Sequence, residues 1–360
     1  MTKSSFNLIV LAAISVIVTV IGITSVVCNM ESKEVLHVYT WSDYIDPELV
    51  AEFETEHNCE VSIDTFADNE SMLAKLMSGA SGYDVVFPSS YIVPVMVRNG
   101  LVAKLSLDKL PTMFKNIDNK FSKHFHKDML NYSIPYAFSV TGIAYRKDRV
   151  PADKIKYSWD DLKNPILGRR VSLLRDVREM FGIGLRMNGC SVNSLNELEL
   201  ARSLRYIIGL KQFATKLDNE MYRTALVSGE LNACIGYNSD VLQIMYDSDG
   251  KNVGFYIPNE GSTCCWDEMV ILSKSTKKEL SHAFIDFLYD GKRAARNMKY
   301  ICSAVPNKEM WEYLDAEYKD NELINLNSNV LNKVELIRDI SDGIRLYNNL
   351  WDIFMSAGTK

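Results

Sequence analysis

The sequence predicts an α/β protein of two domains, in which mainly parallel sheets are flanked by helices. From Leu36 onward, short runs rich in β-branched and aromatic residues alternate with amphipathic helical runs. The 360 residues are too many for one ordinary core, because a domain typically holds roughly 100–200 residues. A hydrophobic content of 47% and a charged content of 24% are typical of a folded globular chain.

The predicted strands share a high content of valine, isoleucine and aromatic residues, and they cover 36–41, 60–66, 83–88, 171–174, 233–238, 253–257 and 269–272. Two helices stand out between them. One covers 47–57 behind an Asp46 cap, and the other covers 281–289. Ligands of open α/β sheets bind beyond the carboxyl ends of strands. The loops that follow Tyr39, Phe87, Leu174 and Ile235 are therefore expected to carry the functional site.

Three longer segments complete the assignment. The extended stretches 132–145 and 254–273 are each predicted to be a strand that crosses between the domains. The final stretch, 327–357, has apolar residues at helical spacing and is predicted to be a packing helix or a pair of helices.

The N-terminus predicts export from the cytoplasm. Lys3 precedes the apolar stretch 8–27, which has the pattern of a signal segment. About 20 apolar residues can also span a bilayer, so an uncleaved anchor is the alternative. SVVC at 25–28 is similar to a bacterial lipobox, although Val27 stands where a small residue is usual. We expect a leader at 1–27 and a palmitate-bearing lipid anchor on Cys28.

Charge and cysteine content exclude some functions. The formal charge is −6, and the basic residues are scattered among acids, which disfavours nucleic-acid binding and mildly favours cationic ligands. With Cys28 lipidated, six cysteines remain, and their spacing matches no zinc motif. Disulfides and buried free thiols are both open for this set: Cys59, Cys190, Cys234, Cys264, Cys265 and Cys302.

Aromatic, hydroxyl and carboxylate side chains recur at the predicted strand ends. Carboxylates form charge-assisted hydrogen bonds with ammonium groups, and aromatic faces pack on methylene chains and gain about 0.5–2 kcal/mol from a nearby cation. This mixture suits a small organic dication. The candidate ligand-binding residues are Trp41, Ser42, Asp43, Tyr44, Ser89, Tyr91, Asp176, Glu179, Tyr237 and Asp267.

Structural roles are the alternatives at the same positions. Asp176 and Glu179 have the spacing of a helix capping box. Ser89 could cap a helix, and Trp41, Tyr44 and Tyr237 could be core aromatics. Asp267 lies beside Trp266 at the head of an apolar strand, so it needs a cationic partner if buried, and a lysine or arginine could supply it.

Six stretches together resemble the periplasmic spermidine/putrescine-binding component of polyamine ABC transporters. They are VYTWSDYIDP (38–47), DNESMLAKL (68–76), YDVVFPSSY (83–91), YSIPY (132–136), SWDDL (158–162) and DVRE (176–179). The resemblance implies a two-lobed type II periplasmic binding protein fold with two interdomain strand crossings. It implies a first lobe of 32–140 plus 263–311 and a second lobe of 141–262 plus 312–360.

The resemblance also implies roles for individual residues. The aromatic and polar box of the family falls on Trp41, Ser42, Asp43, Tyr44, Ser89 and Tyr91, and its ammonium-binding acids fall on Asp176, Glu179 and Asp267. The chain departs from the family at several cleft positions. Tyr237 stands in place of a Trp, Cys265 stands in place of a Trp that is displaced to Trp266, Ser303 replaces a Tyr, and Arg338 or Asp339 replaces a Gln.

The predicted function is capture of a polyamine such as putrescine or spermidine and its delivery to an inner-membrane ABC permease. A monomer anchored in the periplasm, without a cofactor, is expected. The alternatives are a receptor of the same fold for signalling or chemotaxis, or one for another cation such as a metal. An enzyme is disfavoured because no GxSxG elbow, phosphate-binding glycine loop or HExxH motif is present, and His124 and His126 fall in a polar connector.

Overall fold

The computed structural model describes residues 33–121, 129–246 and 252–358. The first strands form a parallel set in which β1 (Glu34–Thr40) lies between β2 (Cys59–Thr65) and β3 (Val85–Val86). Helix α1 (Pro47–His57) has the predicted bounds, begins behind the Asp46 cap, and connects β1 to β2. Helix α2 (Asn69–Met77) connects β2 to β3. The strand predicted at 83–88 is confirmed in place but is only two residues long.

The remaining elements continue the alternation of strands and helices. The middle of the chain contains α3 (Val93–Arg98), α4 (Pro111–Asn116), β4 (Ser133–Arg146), β5 (Val171–Leu173), α5 (Val177–Met187), α6 (Glu197–Lys211), β6 (Lys216–Leu217), α7 (Tyr222–Ser228), β7 (Ala233–Tyr237), α8 (Asn238–Tyr246) and β8 (Val253–Tyr256). The last part contains β9 (Ser262–Ile271), α9 (Lys278–Leu288), α10 (Gly291–Ile301), α11 (Ala316–Lys319), α12 (Ser328–Leu331), β10 (Val334–Leu336) and α13 (Ile344–Ser356).

Strand β4 connects two groups of strands. The strand order is β2-β1-β3-β9-β4-β7-β5-β6, with β10 beside β9 and β8 beside β4. The first half of β4, Ser133 to Val140, pairs antiparallel with β9, and its second half, from Thr141, pairs antiparallel with β7 and β8. The prediction of a mixed α/β fold is confirmed, and the stretch predicted to cross at 132–145 is β4.

The second predicted crossing, 254–273, is two strands rather than one. A turn separates β8 from β9, and Gly261 there has a φ of +91°, which favours glycine. A Cβ atom on Gly261 would also lie 2.5 Å from the Lys333 carbonyl oxygen and from a guanidinium nitrogen of Arg186. Both strands run antiparallel to β4, β8 beside its second half and β9 beside its first half, so the turn interrupts the predicted crossing without reversing the chain.

The prediction of helix throughout 327–357 is wrong. Residues 334–336 form β10, which pairs in parallel with Ser262–Cys264 of β9. Val334 and Leu336 are buried, so the pairing with β9 and this burial override the helical spacing of the apolar residues. Helices α12 and α13 account for the rest of the predicted helical content.

Two large hydrophobic clusters form separate cores, and both include residues of β4. One draws on 143–256 and adds Ile340, Tyr347 and Phe354 from the C-terminal segment. The other combines residues between Leu36 and Ala137 with residues between Met269 and Ile324, and also includes Leu242. None of the six cysteines that follow Cys28 in the described ranges is in a disulfide, and all of them except Cys190 are buried. Within the three described ranges, every helix is too short or too polar to cross a bilayer.

Candidate functional site

A cavity of about 130 Å³ lies where the loops after β1, β3, β5 and β7 meet β9. These are the four strand ends at which the sequence predicts the site. The lining combines carboxylates, hydroxyls and aromatic rings and comprises Trp41, Ser42, Tyr44, Phe66, Ala67, Asp68, Asn69, Ser89, Tyr91, Ser139, Asp176, Glu179, Asn219, Glu220, Arg223, Tyr237, Ser239, Asp240, Cys265, Asp267 and Ile337. Every predicted site residue except Asp43 is in this lining.

Asp267 is held at one end of the cavity by two hydroxyl donors. Ser89 Oγ donates to Asp267 Oδ1 at 2.7 Å, and Tyr44 Oη donates to Oδ2. Asn69 Nδ2 in turn donates to Ser89 Oγ at 3.0 Å and to Tyr91 Oη at 3.1 Å. Burial raises the pKa of Asp267 to about 6, against the two hydroxyl bonds, which lower it. No basic side chain bonds this carboxylate within the described residues, so the lysine or arginine alternative finds no support.

The first turn of α5 supplies two more acids. Asp176 caps the helix by accepting the Glu179 N–H at 2.9 Å, so its structural role is present. Glu179 does not reach back to complete a capping box. Its Oε2 instead accepts from Thr141 Oγ1 of β4 at 2.7 Å and from Thr263 Oγ1 of β9. Burial and the nearby Asp176 carboxylate raise the pKa of Glu179 to about 7, and burial also raises the pKa of Asp176.

Asp240 is one of three further acids in the lining, together with Asp68 and Glu220, and the sequence analysis did not include it. It lies in the first turn of α8, three residues after Tyr237, and accepts a hydrogen bond from Tyr222 Oη. Burial raises the pKa of Asp240, and the charge of Arg223 opposes that rise. An acid in the first turn of a helix that follows a strand was the available signal, because helices of this kind begin at the functional edge of the sheet.

Comparisons with known proteins agree with this architecture. The family model described as bacterial extracellular solute-binding protein matches residues 48–325. The chain belongs to this family. A putrescine/cadaverine-binding protein of Pseudomonas aeruginosa is 29% identical over 330 residues, covering 89% of this chain and 93% of that protein.

Two solved structures resemble this solute-binding protein over nearly their whole length. A lipoprotein of Treponema pallidum superposes with a TM-score of 0.81 at 28% identity, covering 89% of this chain and 99% of the other. A spermidine/putrescine ABC transporter substrate-binding protein of Streptococcus pneumoniae superposes with a TM-score of 0.77 at 25% identity, covering 90% and 99%. The two-lobed type II fold expected from the resemblance is thereby confirmed.

The aromatic wall of this solute-binding protein is formed mainly by the loops that follow β1, β2 and β3. The Trp41 and Phe66 rings lie with centroids 4.4 Å apart, and Tyr91 is 6% exposed beside them. Tyr237 is half-buried on the opposite wall. Trp41 and Tyr44 also pack against buried hydrophobic residues, so the structure gives these rings both of the roles that the sequence left open.

Asp43 is the predicted site residue that the structure places outside the lining. Its side chain is 63% exposed, and Oδ2 lies 3.6 Å from Nη2 of Arg223. The left-handed backbone at Asp43, with φ of 54°, turns the chain away from the cavity between Ser42 and Tyr44. Direct contact between Asp43 and a ligand is therefore not supported by its position.

The side chains at which the sequence departs from the expected cleft pattern lie in different surroundings. Cys265 lines the cavity, whereas Trp266 lies on the opposite face of β9 and packs on Phe121 and Phe138, because successive residues of a strand alternate faces. Ser303 is buried and donates to the Phe138 carbonyl oxygen at 3.0 Å. Ile337, rather than Arg338 or Asp339, reaches the lining from the C-terminal segment.

The spatial arrangement of the side chains that could bind a metal ion is relevant to the metal alternative. Within the described ranges, no three side chains of the histidine, cysteine, aspartate and glutamate types come together as a metal site would require. His124 and His126 lie outside the described residues. The acids of the cavity are instead separated by aromatic and hydroxyl side chains, which is an arrangement suited to an extended organic cation.

Proposed function

We propose that this solute-binding protein captures a small polyamine, of the putrescine and spermidine class, in the cavity between its lobes. The observation that carries the proposal is the charge of the lining. Asp176, Glu179, Asp240 and Asp267 are partly or fully buried there, and Arg223 is the basic side chain among the described lining residues. Buried carboxylates without cations are costly, and a ligand with ammonium groups supplies the missing charge.

Relatives support the choice of ligand. The Pseudomonas aeruginosa protein is named for putrescine and cadaverine, and the Streptococcus pneumoniae protein for spermidine and putrescine. The ligand-binding residues in this proposal are Trp41, Ser42, Tyr44, Ser89, Tyr91, Asp176, Glu179, Tyr237 and Asp267, with Asp240 added. No bond of the ligand is broken in this proposal, which assigns the protein no enzymatic step.

The proposal extends to location and partners. The protein works as a monomer in the periplasm and hands the amine to an inner-membrane ABC permease. Its anchor is a lipid on Cys28, which lies outside the described residues, as does the leader at 1–27. The Treponema pallidum relative is named as a lipoprotein. The proposed lobes are 32–140 plus 263–311 and 141–262 plus 312–360. Two separate hydrophobic clusters support a division into two lobes, with the exception that Leu242, Leu314 and Ile324 pack in the cluster of the first lobe.

Native mass spectrometry tests the ligand class directly. Protein purified without added amines is expected to carry a bound species with the mass of a diamine or triamine, and the species is expected to leave on mild denaturation. A ligand-free protein that also gives no heat with putrescine, cadaverine or spermidine in calorimetry would rule out the proposal. Heat with a divalent metal alone would favour the metal receptor instead.

Amine affinity is expected to weaken as the pH falls from 8 to 5. An ammonium group needs the ionised forms of Asp267 and Glu179, whose pKa values burial raises to about 6 and about 7. The affinity gained by ionisation is therefore nearly complete only at about pH 8 and is lost as the pH falls through the two pKa values. We expect at least about a tenfold rise in Kd at pH 5, measured by calorimetry with putrescine.

Stability of the ligand-free protein should change in the opposite direction. Because these two pKa values lie above those of the unfolded chain, the folded state binds more protons at intermediate pH, and the free energy of unfolding falls as the pH rises through that window. Thermal unfolding of the ligand-free protein at pH 5, 6, 7 and 8 measures this contribution.

In the calorimetry with putrescine, equal Kd values at pH 5 and 8 would contradict the assignment of both acids.

A further inference from the structure

Arg223 places a resident positive charge in the wall of the cavity. It lies in the first turn of α7, and its side chain is 27% exposed. Nη1 donates to Gln243 Oε1 of α8 at 2.8 Å, and Nη2 lies 3.6 Å from Asp43 Oδ2. Gln243 is itself fixed, since its Nε2 donates to the Ile301 carbonyl oxygen of α10 at 3.2 Å. The guanidinium is thus held from two sides rather than free to swing into solvent.

The acids of the cavity lining differ in what offsets their charge. Hydroxyl donors are the partners of Asp267, and threonine hydroxyls are the partners of Glu179. Asp240 differs in its neighbours: Tyr222, the residue before Arg223, donates to it, and Gln243, three residues further along α8, accepts from the Arg223 guanidinium. The charge of Arg223 accordingly opposes the effect of burial on the pKa of Asp240. The cavity therefore has three carboxylate stations, which are Asp267, the Asp176 and Glu179 pair, and Asp240. Among the described lining residues, a basic side chain lies near the third station only.

Neighbouring charges do not reverse this difference. Glu220 lines the same end of the cavity as Arg223, but its side chain is exposed, so water screens it. Asp43 is exposed as well and faces the guanidinium directly. Arg178 lies behind Tyr91 rather than in the lining, and it donates to the Arg338 carbonyl oxygen at 2.9 Å. Its charge lowers the pKa of both Asp176 and Glu179 against the larger effect of burial, so this pair of carboxylates has one neighbouring guanidinium and still offers a place for one ammonium group.

We propose that Arg223 is a specificity-determining residue that limits the ligand to two cationic centres, one at Asp267 and one at the Asp176 and Glu179 pair. The inference rests on the proposed function. A diamine satisfies the two open stations. A triamine brings a third ammonium group toward Asp240, where the guanidinium repels it, and like charges placed together in a shielded site cost substantial affinity.

Calorimetry with putrescine and spermidine on four proteins tests this inference. The wild type is expected to bind putrescine about tenfold more tightly than spermidine, because of the repulsion at the third station. Arg223→Gln removes the charge and frees Asp240, so spermidine binding should tighten by about tenfold relative to putrescine. Arg223→Lys keeps a positive charge and should keep the preference for the diamine, even where both affinities change.

Arg98→Gln is the matched control. Arg98 forms an ion pair with Asp339 at 2.5 Å but lies outside the cavity lining, so its replacement should leave the ratio of the two affinities unchanged. A wild type that prefers spermidine would overturn the inference. So would an Arg223→Gln variant that loses both amines equally, since Arg223 would then act by holding Asp43 and Gln243 in place. A wild type that binds neither amine would instead reject the proposed function itself.

Discussion

Replacing Asp267 by asparagine is expected to weaken putrescine binding by about 100-fold or more. The amide keeps the size of the side chain but cannot neutralise a buried ammonium group, and loss of one partner of a buried charged pair costs about 3 kcal/mol or more. Tyr44 and Ser89 both donate to this carboxylate, so their hydroxyls also lose an ionised acceptor. Calorimetry at pH 8, where Asp267 is ionised, gives the cleanest comparison with the wild type.

The adjacent residue provides the control for this experiment. Glu268 is 2% exposed, and it accepts a hydrogen bond from Ser133 Oγ on the side of β9 that faces away from the cavity. Burial raises its pKa to about 7, so Glu268→Gln changes a comparable acid in the same strand. We expect that variant to bind putrescine within a fewfold of the wild type. If the two variants lost equal affinity, damage to β9 rather than loss of a ligand contact would explain the result.

Gly184→Ala is expected to lower the free energy of unfolding by about 3 kcal/mol. Helices α5 and α6 are in contact at this residue, and a Cβ atom on Gly184 would lie 2.2 Å from Ser203 Oγ and 2.9 Å from the Ser203 backbone. The hydroxyl must move, which breaks its bond to the Phe181 carbonyl oxygen at 2.9 Å, and the helices must separate. Urea denaturation monitored by far-UV circular dichroism measures the change.

Gly209 in α6 is the matched control, because no atom lies within 4 Å of a Cβ built there. Gly209→Ala should stabilise the protein by about 0.5–1 kcal/mol through helix propensity. Since the first turn of α5 carries Asp176 and Glu179, Gly184→Ala should also weaken amine binding, whereas Gly209→Ala should not. Unchanged stability in the Gly184 variant would mean that the two helices are less closely packed than described.

Those parts of the fold with strong local signals could be predicted from the sequence. Helix α1 combines an Asp cap, a proline in its first turn and an apolar face, and its bounds match the prediction. Two misassignments arose where distant contacts decide the conformation. The strand at 334–336 exists because β9 lies beside it, and the break between β8 and β9 depends on a single glycine turn at Gly261. Neither feature leaves a clear periodicity in the surrounding sequence.

The site was predicted more completely than the fold around it, because parallel strands gather their carboxyl-end loops at one edge. Asp240 and Arg223 were missed for different reasons. Asp240 follows the strand end by three residues, within a helix that was not predicted. Arg223 reaches the lining from α7, which follows β6, a strand of only two residues that the sequence does not distinguish from a loop. Asp43 was included with the rest of the segment that follows β1, whereas in the structure its side chain is exposed and lies 3.6 Å from Arg223.

The hydroxyl donors around the acids have a consequence for how quickly cargo leaves. Tyr44 and Ser89 stay with Asp267, Thr141 and Thr263 with Glu179, and Tyr222 with Asp240. Each carboxylate therefore keeps at least one hydroxyl donor after the amine has left. These hydrogen bonds lower the electrostatic cost of dissociation relative to acids without donors. For a carrier protein, such a pocket shortens the residence time of the ligand and speeds its release.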